Sequence, residues 1–224
     1  MKKINWQFVL NIILCGFFLD LTLHEIYRSL TGEQFHYGLA WYDIYLQFDW
    51  LSADWGRISV LDISFRTQNV IMALMILFRS FHREVHKNYL HQLVALLAFF
   101  SGAMMPGIGD GMKGVGAGVA VVANLIGMAS LFSLNRSFGI LIARREIKTK
   151  GLYSLVRHPM YDSDILLRIG FVIGYFSWLN LGLVIVSSAL YVYRARLEES
   201  FLVKSPEYAN YMKQVKYRFI PGVC

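Results

Sequence analysis

Apolar runs long enough to cross a lipid bilayer recur along this chain, and that feature removes most folds from consideration. A bilayer core needs about 20 consecutive apolar residues in a helix. Its lack of water obliges each span to pair its own backbone groups, which a helix does. The runs Ile4–Leu23, Ile58–Phe81, Asn88–Met105 and Gly114–Leu134 are of this kind, and Ser163–Tyr193 is a longer one. In a chain of 224 residues that is 56% hydrophobic and only 17% charged, they predict an all-α fold. The expected architecture is a multi-pass transmembrane helical bundle of about five to six spans.

The polar segments between the runs give the bundle its order. Met1-Lys2-Lys3 precedes the first run, which passes into Asp20 and His24 without a small-residue cleavage site, so it reads as an uncleaved span and not a signal peptide. Residues 24–57 mix Trp41, Tyr42, Trp50 and Trp55 with Asp43, Asp49 and Asp54, as suits a segment at headgroup level. The second run carries Asp62 and Arg66 one turn apart, where they can pair. Pro106–Gly111 is a turn by composition. Gly114, Gly116, Ala117 and Gly118 open the fourth run with small residues that let helices approach closely. Ser163–Tyr193, interrupted at Ser177-Trp178-Leu179-Asn180, reads as a helical hairpin, and a polar tail follows with a helical pattern to about Val215.

Lys2, Lys3, the loop Arg79–Lys87, residues 135–162 and the tail hold most of the basic side chains. Placed together they put both termini in the cytoplasm. The net charge of +7 is then a membrane-face property, and nucleic acid is not an expected partner. Cys15 and Cys224 are the only cysteines, so neither a disulfide framework nor a metal site is expected. Residues 1–134 form an N-terminal transmembrane bundle, with the interfacial segment at 24–57. Residues 135–224 form a second unit around the hairpin at 163–193.

Chemistry-bearing residues gather in that second unit. In Gly151-Leu152-Tyr153-Ser154-Leu155-Val156-Arg157-His158-Pro159-Met160-Tyr161, Pro159 suits the first position of a helix. His158 then stands at the N-cap, where free N–H groups favour an anion. An interfacial His and Tyr without chemistry fit equally well. Arg194-Ala195-Arg196-Leu197-Glu198-Glu199 follows the hairpin. Arg194 suits a carboxylate or phosphate, Glu198 an ammonium or ribose hydroxyls, and the pair one turn apart equally suits a helix-stabilising ion pair. Tyr208, Tyr211 and Val215 share a helix face before Pro221-Gly222, as in an amphipathic interfacial helix.

In this order around a membrane hairpin, the three segments resemble the isoprenylcysteine carboxyl methyltransferase and phospholipid methyltransferase superfamily, in its bacterial-type members. The resemblance covers about Asn135–Gly222 and rests on Gly-x-Tyr-x-x-x-Arg-His-Pro-x-Tyr, Arg-x-x-x-Glu-Glu, Tyr-x-x-Tyr and a terminal Arg-x-x-Pro. It implies an integral membrane methyltransferase that uses S-adenosylmethionine (SAM) in a cytoplasmic pocket and a lipophilic acceptor from the bilayer. Tyr153, His158, Pro159, Met160 and Tyr161 would line the cofactor site. Arg145, Glu146, Ile147 and Lys148 match the segment that also touches the cofactor. Glu198 would hold it from the hairpin exit, and Arg194 would face the acceptor. A carboxylate acceptor is already ionised and needs no base. For an amine or thiol, His158, Tyr161 or Glu199 is the candidate base.

This chain departs from the pattern after Tyr161, where Asp162-Ser163-Asp164 replace a small residue and glycine, with Arg168 one turn beyond. Asp164 and Arg168 either neutralise each other or contact a polar acceptor. Three other functions compete. An NADPH-dependent membrane reductase related to sterol reductases shares Arg-His-Pro-x-Tyr. A transporter would use Asp62, Arg66, Asp164 and Arg168 along a path. A lipid-binding relative would have lost activity.

Overall fold

The computed structural model describes residues 9, 11–16, 60–80, 82–101, 105 and 108–222. The first expected span apart from its short helical piece at 11–16, the interfacial segment at 24–57, and the side chains of Asp62 and Arg66 lie outside the described residues. The described chain is predominantly helical: α1 Val60–Leu77, α2 Tyr89–Phe100, α3 Lys113–Leu134, α4 Pro159–Gly174, α5 Trp178–Leu202 and α6 Pro206–Gln214. Two stretches, Lys113–Ser137 and Trp178–Leu202, each of 25 residues, are long and apolar enough to cross a membrane. Large apolar side chains lie exposed on both, among them Val122, Leu125, Phe132, Ile185 and Val186, an outer surface that suits lipid.

Local chemistry sets the helix ends. Asn88 caps α2 by accepting from the amides of Leu90 and His91, and Ser205 caps α6 through the Tyr208 amide, with Pro206 in its first turn. Asn135, at φ +49°, ends α3, a left-handed conformation that asparagine adopts more readily than most residues. Of the expected third span, Asn88–Met105, the described α-helix covers the 12 residues Tyr89–Phe100, about 18 Å of helix.

The expected hairpin is present but asymmetric. α4 has 16 residues and α5 has 25. The polar residues 177–180 do not break a span; they start one. Ser177 Oγ caps α5 by accepting from the Asn180 amide. The fully buried Asn180 side chain donates to the Tyr175 and Ile108 carbonyls, tying the turn to the loop before α3.

α3 and α4 make the most extensive helix–helix contact, and glycine makes it possible. A Cβ at Gly116 would lie 2.5 Å from the Gly170 carbonyl oxygen and 2.6 Å from the Gly174 nitrogen. Gly114 and Gly118 have nothing within 4 Å of such a Cβ. Of the three glycines expected to pack helices, Gly116 does so. We expect Gly116→Ala to force the backbones apart and destabilise the bundle by about 1–3 kcal/mol. Thermal unfolding in detergent checks this, with Gly118→Ala expected to unfold like the parent protein.

A two-residue antiparallel pairing also forms, Glu84 opposite Arg144 and Val85 opposite Ala143. It fastens residues 142–145 to the loop before α2. Gln92 completes the join: its Oε1 accepts from the Ile142 amide, and its Nε2 donates to the Ile142 and His86 carbonyls.

Candidate active site

The fastened segment, the start of α4 and the end of α5 enclose one cleft, closed on a further side by α6. It holds about 890 Å³ of atom-free space, its open mouth included. Arg145, Glu146, Ile147, Lys148, Tyr153, His158, Met160, Tyr161, Arg194 and Glu198 all line it. Pro159 does not; it is buried at the first position of α4. Glu199 does not either.

Facing turns of α4 and α5 form the floor of the cleft. α4 contributes Tyr161 and Asp164 and α5 contributes Arg194 and Glu198, with Arg168 and Tyr191 packed against each other outside the lining. The Tyr161 hydroxyl donates to Glu198 Oε2 at 2.5 Å. The Tyr191 hydroxyl donates to Asp164 Oδ2 at 2.7 Å. Arg194 lies between these two tyrosine–carboxylate pairs, its guanidinium 4.9 Å from the centre of the Tyr161 ring. His158 stacks on Tyr161 with centroids 5.0 Å apart and planes 11° apart.

Two ion pairs that helical spacing suggested are absent from this floor. Arg194 gives its terminal nitrogens to the carbonyls of Ala95 at 3.0 Å and Ile140 at 2.5 Å, and Glu198 takes the tyrosine. Arg168 donates to the backbone carbonyl of Asp164, not its carboxylate, and lies 5.0 Å from the Tyr191 ring. At the departure, Ser163 and Asp164 face different neighbours. Ser163 Oγ bonds the Met160 carbonyl and packs against Gly127 of α3, whereas Asp164 faces the cleft.

The opposite wall is built on Arg145. Gly139 lies flat beneath it: a Cβ there would be 2.2 Å from an Arg145 terminal nitrogen. Arg145 Nε, like Arg194 Nε, is buried without a hydrogen-bond partner among the described residues. Burial lowers the Arg145 pKa, and the nearby Glu198 carboxylate works against that shift. Glu146 is exposed and paired with Lys148 at 2.8 Å, and its hydrogen bond to Lys148 holds its carboxyl below the usual range. Burial raises the Tyr153, Tyr208 and Tyr211 hydroxyl pKa values, so all three stay protonated.

Glu199 occupies a different environment. Only 5% exposed, it accepts from Arg157 Nε, from Arg218 and, at 3.1 Å, contacts His158 Nε2. A carboxylate fixed by two guanidiniums and turned out of the cleft is a poor base for an acceptor. The expected anion site at the start of α4 is also largely occupied: the Arg157 and His158 amides donate to the Tyr217 and Arg218 carbonyls of the tail. Not named from the sequence as site residues were Phe99, Leu134, Phe138, Arg157, Tyr208 and Tyr211, which also line the cleft. The Tyr208/Tyr211 spacing and the place of Arg157 in the Arg-His-Pro-x-Tyr segment were the sequence signals for three of them.

A mostly helical chain with two helices of membrane-crossing length, and a polar cleft at the end of a helical hairpin, is the architecture in hand. The model of the phospholipid methyltransferase family matches residues 113–209, from the start of α3 into α6. The superfamily resemblance read from the sequence therefore holds. No curated protein matches the chain. The family implies methyltransferase activity in general, and with the two apolar helices it points to a membrane methyltransferase.

Proposed function

We propose that the chain is an integral membrane methyltransferase that binds SAM in this cleft and methylates a lipophilic acceptor. One observation carries the reading. Residues 145–148, the His158–Tyr161 turn and Glu198, which the resemblance assigned to the cofactor, come from three separate segments and line one cleft. Its chemistry fits SAM. The half-buried Glu198 carboxylate suits an ammonium or ribose hydroxyls. Arg145 Nε, a buried donor with no partner among the described residues, suits a carboxylate. The stacked His158 and Tyr161 offer aromatic surface for a purine or a sulfonium cation. Phe99, Leu134 and Phe138 offer the apolar wall that a lipid-like acceptor requires. In this reading the multi-pass topology is about five to six spans, with the cleft and both termini on the cytoplasmic face. Residues 135–224 act as the methyltransferase unit.

When bound, SAM supplies an activated methyl group for in-line displacement. The protein aligns the acceptor and excludes water. Arg194 orients an anionic acceptor. For an amine or thiol the proton goes to a cleft carboxylate, and Asp164, at the floor beside Arg194, takes the place that Glu199 cannot fill.

Equilibrium binding to purified, folded protein tests the proposal. Saturable binding of SAM and S-adenosylhomocysteine, not displaced by NADPH, is expected. Binding of NADPH in their place would move the chain to the reductases, and binding of neither would overturn the enzyme reading.

A further inference from the structure

The two adjacent carboxylates at the end of α5 have separate surroundings. Successive helix residues are about 100° apart around the axis, so Glu198 faces the cleft while Glu199 points behind its wall. There Glu199 joins three stretches of chain. Its Oε1 lies 2.9 Å from Arg157 Nε and 3.1 Å from His158 Nε2, and its Oε2 lies 2.6 Å from Arg218 Nη2. Arg157 extends the join, with Nη1 donating to the carbonyls of Val215 and Lys216. The backbone closes it: the amides of Arg157 and His158 donate to the carbonyls of Tyr217 and Arg218, both at 3.0 Å. The hydrogen bond to Glu199 also raises the Arg218 pKa, so the cation is secure.

The position of His158 depends on this cluster. Its ring is held on one side by Glu199 and stacks on Tyr161, whose hydroxyl in turn holds Glu198. We propose that Glu199 is a positioning residue for the cofactor site. Together with Arg218 it latches the C-terminal segment 215–219 onto residues 157–158, and the latch sets the His158–Tyr161–Glu198 surface that faces the cleft. The segment it holds lies beyond the residues that the family model matches, 113–209. The inference rests on the SAM reading for the role of the surface, but the latch itself is a statement about the fold.

Two measurements on full-length protein in detergent separate these points. The first is SAM affinity and the second is hydrogen–deuterium exchange at the Arg157 and His158 amides without ligand. Glu199→Gln should weaken SAM binding at least tenfold and expose both amides to exchange, with the amides of α3 still protected. Arg218→Ala, at a side chain 24% exposed and so tolerant of truncation, should do the same if the Gln variant fails to fold. Glu199→Asp and Arg218→Lys, which keep the charges, should recover part of the affinity. Wild-type affinity in both Glu199→Gln and Arg218→Ala overturns the positioning role, as does weakened binding with exchange raised evenly over the whole protein. If the parent protein binds no SAM, the proposed function and the positioning role fail together. Unaltered exchange at the two amides in the variants would overturn the latch itself.

Discussion

Glu198→Ala is expected to lower SAM affinity by about 10- to 100-fold, the equivalent of one lost charge-assisted hydrogen bond of about 1.5–3 kcal/mol. The carboxylate is half-buried at the cleft wall and, among the described residues, makes one hydrogen bond, to Tyr161, which leaves acceptor capacity for a ligand. Its removal also leaves the cleft with Arg145 and Arg194 less balanced, an unfavourable field for a sulfonium. Folding should be little affected, because a half-buried side chain leaves little void. Glu198→Gln separates two roles. The amide oxygen can still accept from Tyr161, so recovered affinity would mean that Glu198 acts by holding the tyrosine. Continued loss means that the charge itself meets the ligand. Unchanged affinity in both variants would remove Glu198 from the site.

The legible parts of this fold were those written locally. Length and apolarity announced α3, whereas α5, read as half of a hairpin ending at Tyr193, runs on to Leu202. Pro159 announced a helix start, because a residue suited to the first turn and its helix are neighbours in sequence. The pairing of residues 84–85 with 143–144 was not legible: two residues carry no alternation, and their partners lie far away in sequence. The candidate site divides in the same way. Most of the residues assigned to the cofactor line the cleft, because the motif order reflects the turns that bring them together. What stayed illegible is what a facing element supplies. Helical spacing allowed Asp164 to pair with Arg168 and Arg194 with Glu198, as one alternative for each. It had no access to Tyr191, Tyr161 and the carbonyls of Ala95 and Ile140, which take those groups instead. Glu198 and Glu199 are chemically identical in sequence, and only the positions of Arg157 and Arg218 separate the cleft residue from the clamped one.

Arg194 is where the structure changes the expected experiment most. Read from sequence, its replacement should spare SAM binding and reduce turnover. In the fold the side chain is 3% exposed and ties α5 to the Ala95 carbonyl of α2 and to the Ile140 carbonyl before the β-pairing. Arg194→Ala removes two buried charge-assisted hydrogen bonds, at about 1.5–3 kcal/mol each, and opens a void beneath Tyr161. The variant should therefore melt well below the parent protein, and its loss of methyl transfer alone assigns no role. Arg194→Lys is the informative partner. An ammonium can reach one carbonyl but lacks the planar fork and the Nε donor, and that Nε has no partner among the described residues. Partial recovery of stability with methyl transfer still reduced by about 10-fold or more, the cost of one charged hydrogen bond, would place the guanidinium at the acceptor. Recovery of melting temperature and turnover together would reduce Arg194 to a structural tie between α5, α2 and the wall of the cleft. The acceptor's charge would then be set by Asp164.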